Sequence, residues 1–121
     1  GPGPFAISVG DMNNDRYSDF VISNSGGNSA TVFLNNQNNG FDSSATYSLG
    51  MNPQGITVAD INGDGNIDII TSNSSSNNIS VLENLGDGTF GNLSTFSVGN
   101  FPRPIVATDL NNDGYIDVVT G

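Results

Sequence analysis

The chain has 121 residues and a formal net charge of −10, because 12 acidic residues are set against only two basic ones. This charge excludes a nucleic-acid binder, since almost no Lys or Arg is present to neutralise phosphates, and it argues against docking on an anionic membrane. Cys and His are both absent, which excludes disulfides, Cys–His or Ser–His–Asp catalysis and any Cys- or His-ligated metal site.

The sequence repeats itself every 49 residues without gaps, as the spacing of Asp11, Asp60 and Asp109 shows. Such self-similarity is typical of repeat architectures. Two full repeats and not quite half of a third are expected, with boundaries at 1–49, 50–98 and 99–121.

Each repeat predicts four short strands. In the first repeat, alternating apolar residues over 5–9 predict a strand, and an acidic loop follows. The apolar run at 20–22 predicts a buried second strand, and Asn/Gly-rich turns separate it from strands around 32–34 and 41–49. No segment shows helical periodicity, and no apolar run approaches the ~18 residues of a membrane span.

A unit of four antiparallel strands with this length is typical of a propeller blade. The sequence therefore predicts an all-β fold of tandem four-stranded antiparallel blades of β-propeller type, in two and a half repeats. One blade cannot bury both faces of its sheet, so neighbouring blades must stack on it. Aromatic residues that recur at repeat positions are expected in the core: Phe5, Phe20, Phe33, Phe41, Tyr47, Phe90, Phe96 and Phe101. Tyr17 and Tyr115 are expected at the rim of the loops.

The acidic loop follows the pattern D-x-N-x-D-x-x-x-D in all three repeats. Three carboxylates so close together repel one another unless a cation lies between them. Calcium prefers six to eight hard oxygen ligands, and a curled loop would point alternate positions inward, with position seven contributing its backbone carbonyl. The predicted ligands of three Ca2+ ions are Asp11, Asn13, Asp15, Tyr17 and Asp19, then Asp60, Asn62, Asp64, Asn66 and Asp68, then Asp109, Asn111, Asp113, Tyr115 and Asp117.

Position six of the loop requires a left-handed backbone, and Gly65 and Gly114 suit it. Arg16 occupies this position in the first repeat, at a cost of about 1–2 kcal/mol, so the first site is expected to bind most weakly. An EF-hand is excluded because its Glu at position twelve is replaced by Ile22, Thr71 and Thr120. The alternative is a metal-free Asx-rich turn. Acid–base chemistry by the paired Asp residues is disfavoured, because calcium would occupy them, and no enzyme is expected.

These loops, the apolar strand after each, and the segment 86–91 (GDGTFG) resemble the FG-GAP/VCBS repeat of calcium-binding propellers such as the integrin α-chain head. The resemblance implies secreted or cell-surface proteins with roles in adhesion or carbohydrate binding. Departures from the pattern are Arg16 and the segment 37–41, which replaces the glycine-rich turn of the second repeat.

The leading expectation is a calcium-stabilised extracellular β-repeat module that acts as a scaffold or adhesion surface. The alternatives are a lectin-like carbohydrate-binding module and a repeat unit of an extracellular fibre or oligomer. Expected partners are further repeats or copies of the chain, because the outer faces of the first and last repeats lack a neighbour, and also a glycan or another surface protein. Sequons for N-glycosylation occur at Asn73, Asn78 and Asn92.

Overall fold

The computed structural model describes residues 3–121, except for the side chains of Ser43 and Ser44. The described chain is all-β and its strands pair antiparallel throughout, which confirms the predicted class. The strands are β1 (Pro4–Gly10), β2 (Asp19–Asn24), β3 (Ser29–Asn35), β4 (Phe41–Ser48), β5 (Pro53–Ala59), β6 (Asp68–Asn73), β7 (Asn78–Asn84), β8 (Phe90–Ser97), β9 (Ile105–Thr108) and β10 (Asp117–Thr120).

The strands form two sheets of four, in the orders β1-β2-β3-β4 and β5-β6-β7-β8, and a third sheet of two, β10-β9. The first two sheets share their irregularities, since the register shifts between Pro4 and Ala6 and again between Pro53 and Gly55. Equivalent sequence thus gives equivalent pairing. Residues 3–121 do not close into a ring of sheets. Their one helical element is a 3₁₀ turn at Ser25–Gly27, and no helix among them is long and apolar enough to cross a membrane.

The three sheets pack face to face through two apolar clusters. The second strand of a repeat lies at the centre, and all six residues of β6 are buried, as its apolar run predicts. The first cluster joins sheets one and two through Met12, Val21, Ala30, Val32, Ile56, Ile69, Leu82 and Phe90. The second joins sheets two and three through Ile70, Ile79 and Val81, with Ile105, Ala107 and Val118 packed against them. Each sheet therefore buries one face against the next sheet along the chain.

Close approach of the sheets depends on glycine at one contact in particular. A Cβ atom built on Gly55 would overlap the carbonyl oxygen of Arg103, which belongs to the third repeat. The same carbonyl accepts a hydrogen bond from the hydroxyl of Ser72 at 2.5 Å. Because the obstacle is backbone, no side-chain rotation would make room for a larger residue.

The expectation that the recurring aromatic residues are all core is wrong for half of them. Phe90 is buried, but Phe5, Phe41, Phe96 and Phe101 are exposed. Phe96 lies on β8, an outer strand of its sheet whose residues beyond Gly91 are exposed. Phe41 lies on the face of the first sheet that no other sheet covers among residues 3–121, where it meets Phe20 edge-on at 4.8 Å between ring centroids.

A buried asparagine is the last residue of the second strand in both full repeats. Nδ2 of Asn73 donates to Oδ1 of Asn78 and to Oγ of Ser80, both at 2.8 Å, and the residue is fully buried. Asn24 makes the equivalent bonds to Ser29 and Thr31. The amide of the Asn73 sequon is therefore engaged in hydrogen bonds within the fold.

Candidate metal centre

Each acidic loop joins the first two strands of its repeat and contains two residues with left-handed backbone. Position six is left-handed in all three loops, with φ of 72° at Arg16 and 86° at both Gly65 and Gly114, which confirms the prediction for this position. Position four is left-handed as well, with φ of 60°, 75° and 59° at Asn14, Gly63 and Asn112. The residue type at position four was the sequence signal for this left-handed backbone, since Asn and Gly tolerate the conformation best.

The carboxylate at position one of each loop accepts hydrogen bonds from backbone N–H groups of the same loop. Oδ1 of Asp11 accepts the N–H of Asp15 at 3.1 Å, and Oδ2 accepts the N–H of Arg16 at 2.8 Å. The same two bonds recur from positions five and six to Asp60 and Asp109. The carboxylate at position one is thus held in a fixed orientation, facing the interior of the curl.

The carboxylate at position five forms an Asx turn with the residue two places on. Oδ1 of Asp15 accepts the N–H of Tyr17 at 2.9 Å, and Oδ1 of Asp64 accepts the N–H of Asn66 at 2.9 Å. These backbone N–H groups are the largest influence that holds the pKa of Asp15 and the pKa of Asp64 below the usual range. Both side chains are therefore ionised at neutral pH and available to a cation.

The carboxylate at position nine connects the loop to the rest of its sheet. Asp19 is fully buried, and its two oxygens accept the N–H groups of Met12 at 2.7 Å and Asn35 at 2.8 Å. Asp68 repeats this arrangement with Ile61 and Asn84, at 3.0 Å and 2.9 Å. Asn35 and Asn84 lie at the ends of β3 and β7, and their 49-residue spacing was the only sequence signal for this link.

Burial makes the position-nine charge costly. It raises the pKa of Asp68 above the usual value, and the neighbouring carboxylates of Asp64 and Asp60 push in the same direction, while the N–H groups of Asn84 and Ile61 oppose the rise. A buried carboxylate beside two others is an electrostatic arrangement that a divalent cation would relieve.

Two of the three loops gather their carboxylates into one group. One oxygen each from Asp11, Asp15 and Asp19 lies within 4.8 Å of the others, and the same holds for the third-loop residues Asp109, Asp113 and Asp117. Asp60, Asp64 and Asp68 do not form such a group within the described part of the chain. The structure therefore brings together two of the three predicted acidic clusters.

The amide at position three tests whether a cation fits the first loop. Oδ1 of Asn13 is buried and has no hydrogen-bond partner among the described residues. The equivalent oxygens of Asn62 and Asn111 accept the N–H groups at position five, each at 3.3 Å. A buried amide oxygen without a donor, in a loop that carries three carboxylates, is of the oxygen type that calcium takes as a ligand. An ionised carboxylate offers about four lone-pair directions, so the N–H bonds leave capacity for a metal. The carbonyls of Tyr17, Asn66 and Tyr115 remain predicted ligands.

Sequence reasoning missed one side chain at the first loop. Nε2 of Gln37, in the turn between β3 and β4, donates to Oδ2 of Asp15 at 3.2 Å. The second repeat has Gly86 at the equivalent position and so lacks this contact. The sequence signal for this contact was that residues 37–41 depart from the glycine-rich turn of the second repeat.

The predicted rim positions are confirmed, since Tyr17 and Tyr115 are both exposed.

Comparison with known proteins places these loops in a family. A model of the FG-GAP-like repeat matches residues 11–71 and again residues 60–120. Each match begins at the first Asp of an acidic loop and runs into the next loop of the chain. No curated protein matches the chain. Because the two matches together cover residues 11–120, the chain belongs to the FG-GAP-like repeat family.

Proposed function

We propose that the chain is a calcium-stabilised β-repeat module that acts outside the cell as a structural or adhesion unit. The observation that carries this proposal is the gathering of three carboxylate oxygens within 4.8 Å of one another in the first and third loops. The unpartnered Oδ1 of Asn13 supports it, because this buried oxygen of the same loop has no hydrogen-bond donor among the described residues. Calcium would supply the positive charge that keeps these carboxylates together.

The proposed role of calcium is structural because the loop is part of the sheet. Position nine is the first residue of the second strand, and its carboxylate also holds the end of the third strand through Asn35 or Asn84. Neutralising the loop charge would therefore stabilise three elements of one repeat together. Ions held in this way would occupy the Asp side chains of the loops, so these carboxylates are proposed to act as metal ligands and not as general bases, and the proposed module is not an enzyme.

The extracellular location is proposed from the chemistry of the sites. Extracellular calcium-binding modules have dissociation constants of about 10⁻⁴–10⁻³ M, a range matched to surroundings rich in calcium. The net charge of −10 would also be reduced by bound divalent ions. The family resemblance to secreted and cell-surface proteins points the same way.

The sheets are proposed to be blades of a propeller-type array. The packing between sheets one and two uses the same repeat positions as the packing between sheets two and three. Ile7 and Val9 on the first sheet, and Leu110 and Val119 in the third repeat, remain exposed at the two ends of this stack. Further repeats or further copies of the chain are the proposed partners for these apolar residues.

The test of the proposal is thermal unfolding of the chain in calcium, in magnesium and in chelator. Binding to the folded form alone adds about 2.7 kcal/mol per site when the free ion is at 100 times its dissociation constant, so calcium should raise the melting temperature clearly above that in chelator. Asp113→Asn, in the third loop, should lower the calorimetric stoichiometry by one ion. Asp42→Asn, an exposed carboxylate outside the loops, is the matched control and should not change it. Equal melting temperatures in calcium and chelator would refute the proposal.

A further inference from the structure

We propose that the first and second acidic loops bind cations as a coupled pair, through hydrogen bonds that cross the junction between the first two repeats, whereas the third loop binds independently. This coupling rests on the proposed function, since the ion in question is the calcium proposed for the loops. An ion that orders one loop of the pair should raise the affinity of the other.

A buried asparagine connects the position-nine carboxylates of the two loops. Asp19 accepts the N–H of Met12 at 2.7 Å, and the carbonyl of Met12 accepts Nδ2 of Asn84 at 2.6 Å. The N–H of Asn84 donates in turn to Oδ1 of Asp68 at 2.9 Å. Asn84 is 4% exposed, and the other three residues are fully buried. A continuous line of hydrogen bonds, shielded from solvent, therefore runs from the carboxylate of one loop to that of the next.

The same asparagine places the second repeat against the first loop. Its Nδ2 also donates to the carbonyl of Ile67 at 3.0 Å, and its Oδ1 accepts the N–H of Gly86 at 2.8 Å. The turn that follows lies against the first loop, because a Cβ atom on Gly88 would be 3.1 Å from Cβ of Asn13. Asn13 carries the buried Oδ1 to which no described residue donates. The second repeat thus packs directly on a predicted ligand of the first loop.

A second link joins the two loops at the surface. Nδ2 of Asn14, at position four of the first loop, donates to Oδ1 of Asn66, at position seven of the second loop, at 2.7 Å. The N–H of Asn66 is itself held by Asp64 at 2.9 Å, so the link reaches a carboxylate of the second loop. Asn14 has left-handed backbone with φ of 60°, and its orientation therefore depends on the curl of the first loop. A cation that fixes this curl would also fix Asn66.

The second and third loops lack such a link. Position four of the second loop is Gly63, which has no side chain, and position seven of the third loop is Tyr115, whose side chain is exposed. The side-chain hydrogen bonds described for the third loop all remain within that loop. The described chain therefore contains one linked pair of loops and one loop without a link, which serves as an internal comparison.

The second loop depends most on ordering from outside itself. Its three carboxylates do not form a close group within the described part of the chain, whereas those of the first and third loops do. An ion in the first loop would hold Asn14 and Met12 in place, so an ion in the second loop would have less ordering to impose. Repulsion between the two ions opposes this effect, but salt screens exposed charges beyond about 8 Å at physiological ionic strength.

The test follows calcium binding to each loop separately, by NMR of the whole chain at physiological ionic strength. The amides of Gly65 and Gly114, at position six of the second and third loops, report on those loops. Asp15→Asn removes one charge from the first loop, while the new side-chain oxygen can still accept the N–H of Tyr17. Because coupled sites typically change each other's affinity about 5–150-fold, the variant should weaken binding reported by Gly65 about fivefold. Binding reported by Gly114 should be unchanged.

The same change in an Asn14→Gly background separates the link from the effect of charge. Glycine suits left-handed backbone and occurs at this position in the second loop, so the bond to Asn66 is lost without strain in the first loop. The effect of Asp15→Asn at Gly65 should then fall to about twofold or less. Asn112→Gly is the matched control at position four of the third loop, and in that background the fivefold effect should persist.

Three outcomes would overturn the coupling. These are no weakening at Gly65 by Asp15→Asn, an equal weakening with and without Asn14, and calcium-dependent shifts at Gly114 with none at Gly65. Each of them leaves the proposed function intact, because calcium still binds the chain. The absence of calcium-dependent shifts in all three loops would instead refute the proposed function and the coupling together.

Discussion

The buried carboxylate at position nine should contribute more to stability in a complete repeat than in the third repeat, even without calcium. Asp19 accepts two backbone N–H groups, from Met12 and Asn35, and is fully buried. Asp117 accepts one from Leu110 and is only half-buried. Replacing either by Asn leaves a single side-chain oxygen, which suffices for Asp117 but not for Asp19.

The magnitude follows from these bonds. In Asp19→Asn one buried N–H loses its acceptor, at a cost of about 1–3 kcal/mol, and the other bond changes from charged to neutral, at a cost of about 1 kcal/mol. Removal of one negative charge beside Asp11 and Asp15 lowers the repulsion between carboxylates, which raises the free energy of unfolding by about 1 kcal/mol in the absence of a cation. The net destabilisation is therefore about 2 kcal/mol, whereas Asp117→Asn should cost less than about 1 kcal/mol.

Urea and thermal unfolding in chelator, followed by circular dichroism, measure this difference. For a chain of this size about 2 kcal/mol corresponds to a fall in melting temperature of roughly 6–10 °C. Asp42→Asn, an exposed carboxylate on β4, controls for the loss of one charge and should have little effect. Equal destabilisation by Asp19→Asn and Asp117→Asn would show that the bond to the end of β3 does not stabilise the repeat.

Three further predictions test other parts of the molecule. Arg16→Gly should tighten calcium binding at the first loop and raise stability by about 1 kcal/mol, because the residue has φ of 72°; calorimetric titration showing weaker binding would contradict the backbone argument. Gly55→Ala should lower the melting temperature by several degrees, since its Cβ would meet the Arg103 carbonyl, whereas Gly99→Ala, with nothing within 4 Å, should be nearly neutral; equal melting temperatures would refute the close approach of sheets two and three. Thr89→Val should raise the pKa of Asp87, which the Thr89 hydroxyl and N–H hold low. The stability from the Thr89–Asp87 contact is present above the ordinary Asp pKa and is lost as pH falls through the lowered value; carboxyl-carbon NMR titration showing no rise would count against the hydroxyl bond.

Local features of the candidate site could be predicted well because they depend on a few adjacent residues. Gly65 and Gly114 marked the left-handed position six, and the spacing of Asp and Asn residues marked the groups that gather at the first and third loops. The link from Asp19 to Asn35 could not be predicted in the same way, because it joins residues that lie on different strands. Nor could the different geometry of the second loop, since its motif is as complete as the others.

The sequence by itself determined the repeat, the order of strands and the position of each acidic loop. These follow from local chemistry, in which alternation favours strands and Asn, Asp and Gly favour turns, and a 49-residue period reproduces them. Only the tertiary structure decided which equivalent residues are buried. Phe41 and Phe90 hold the same place in their repeats, yet Phe41 is exposed and Phe90 packs edge-on against Tyr47 of the preceding repeat, 5.7 Å between centroids. Burial is a property of two surfaces in contact, so it depends on the neighbouring sheet as much as on the residue itself.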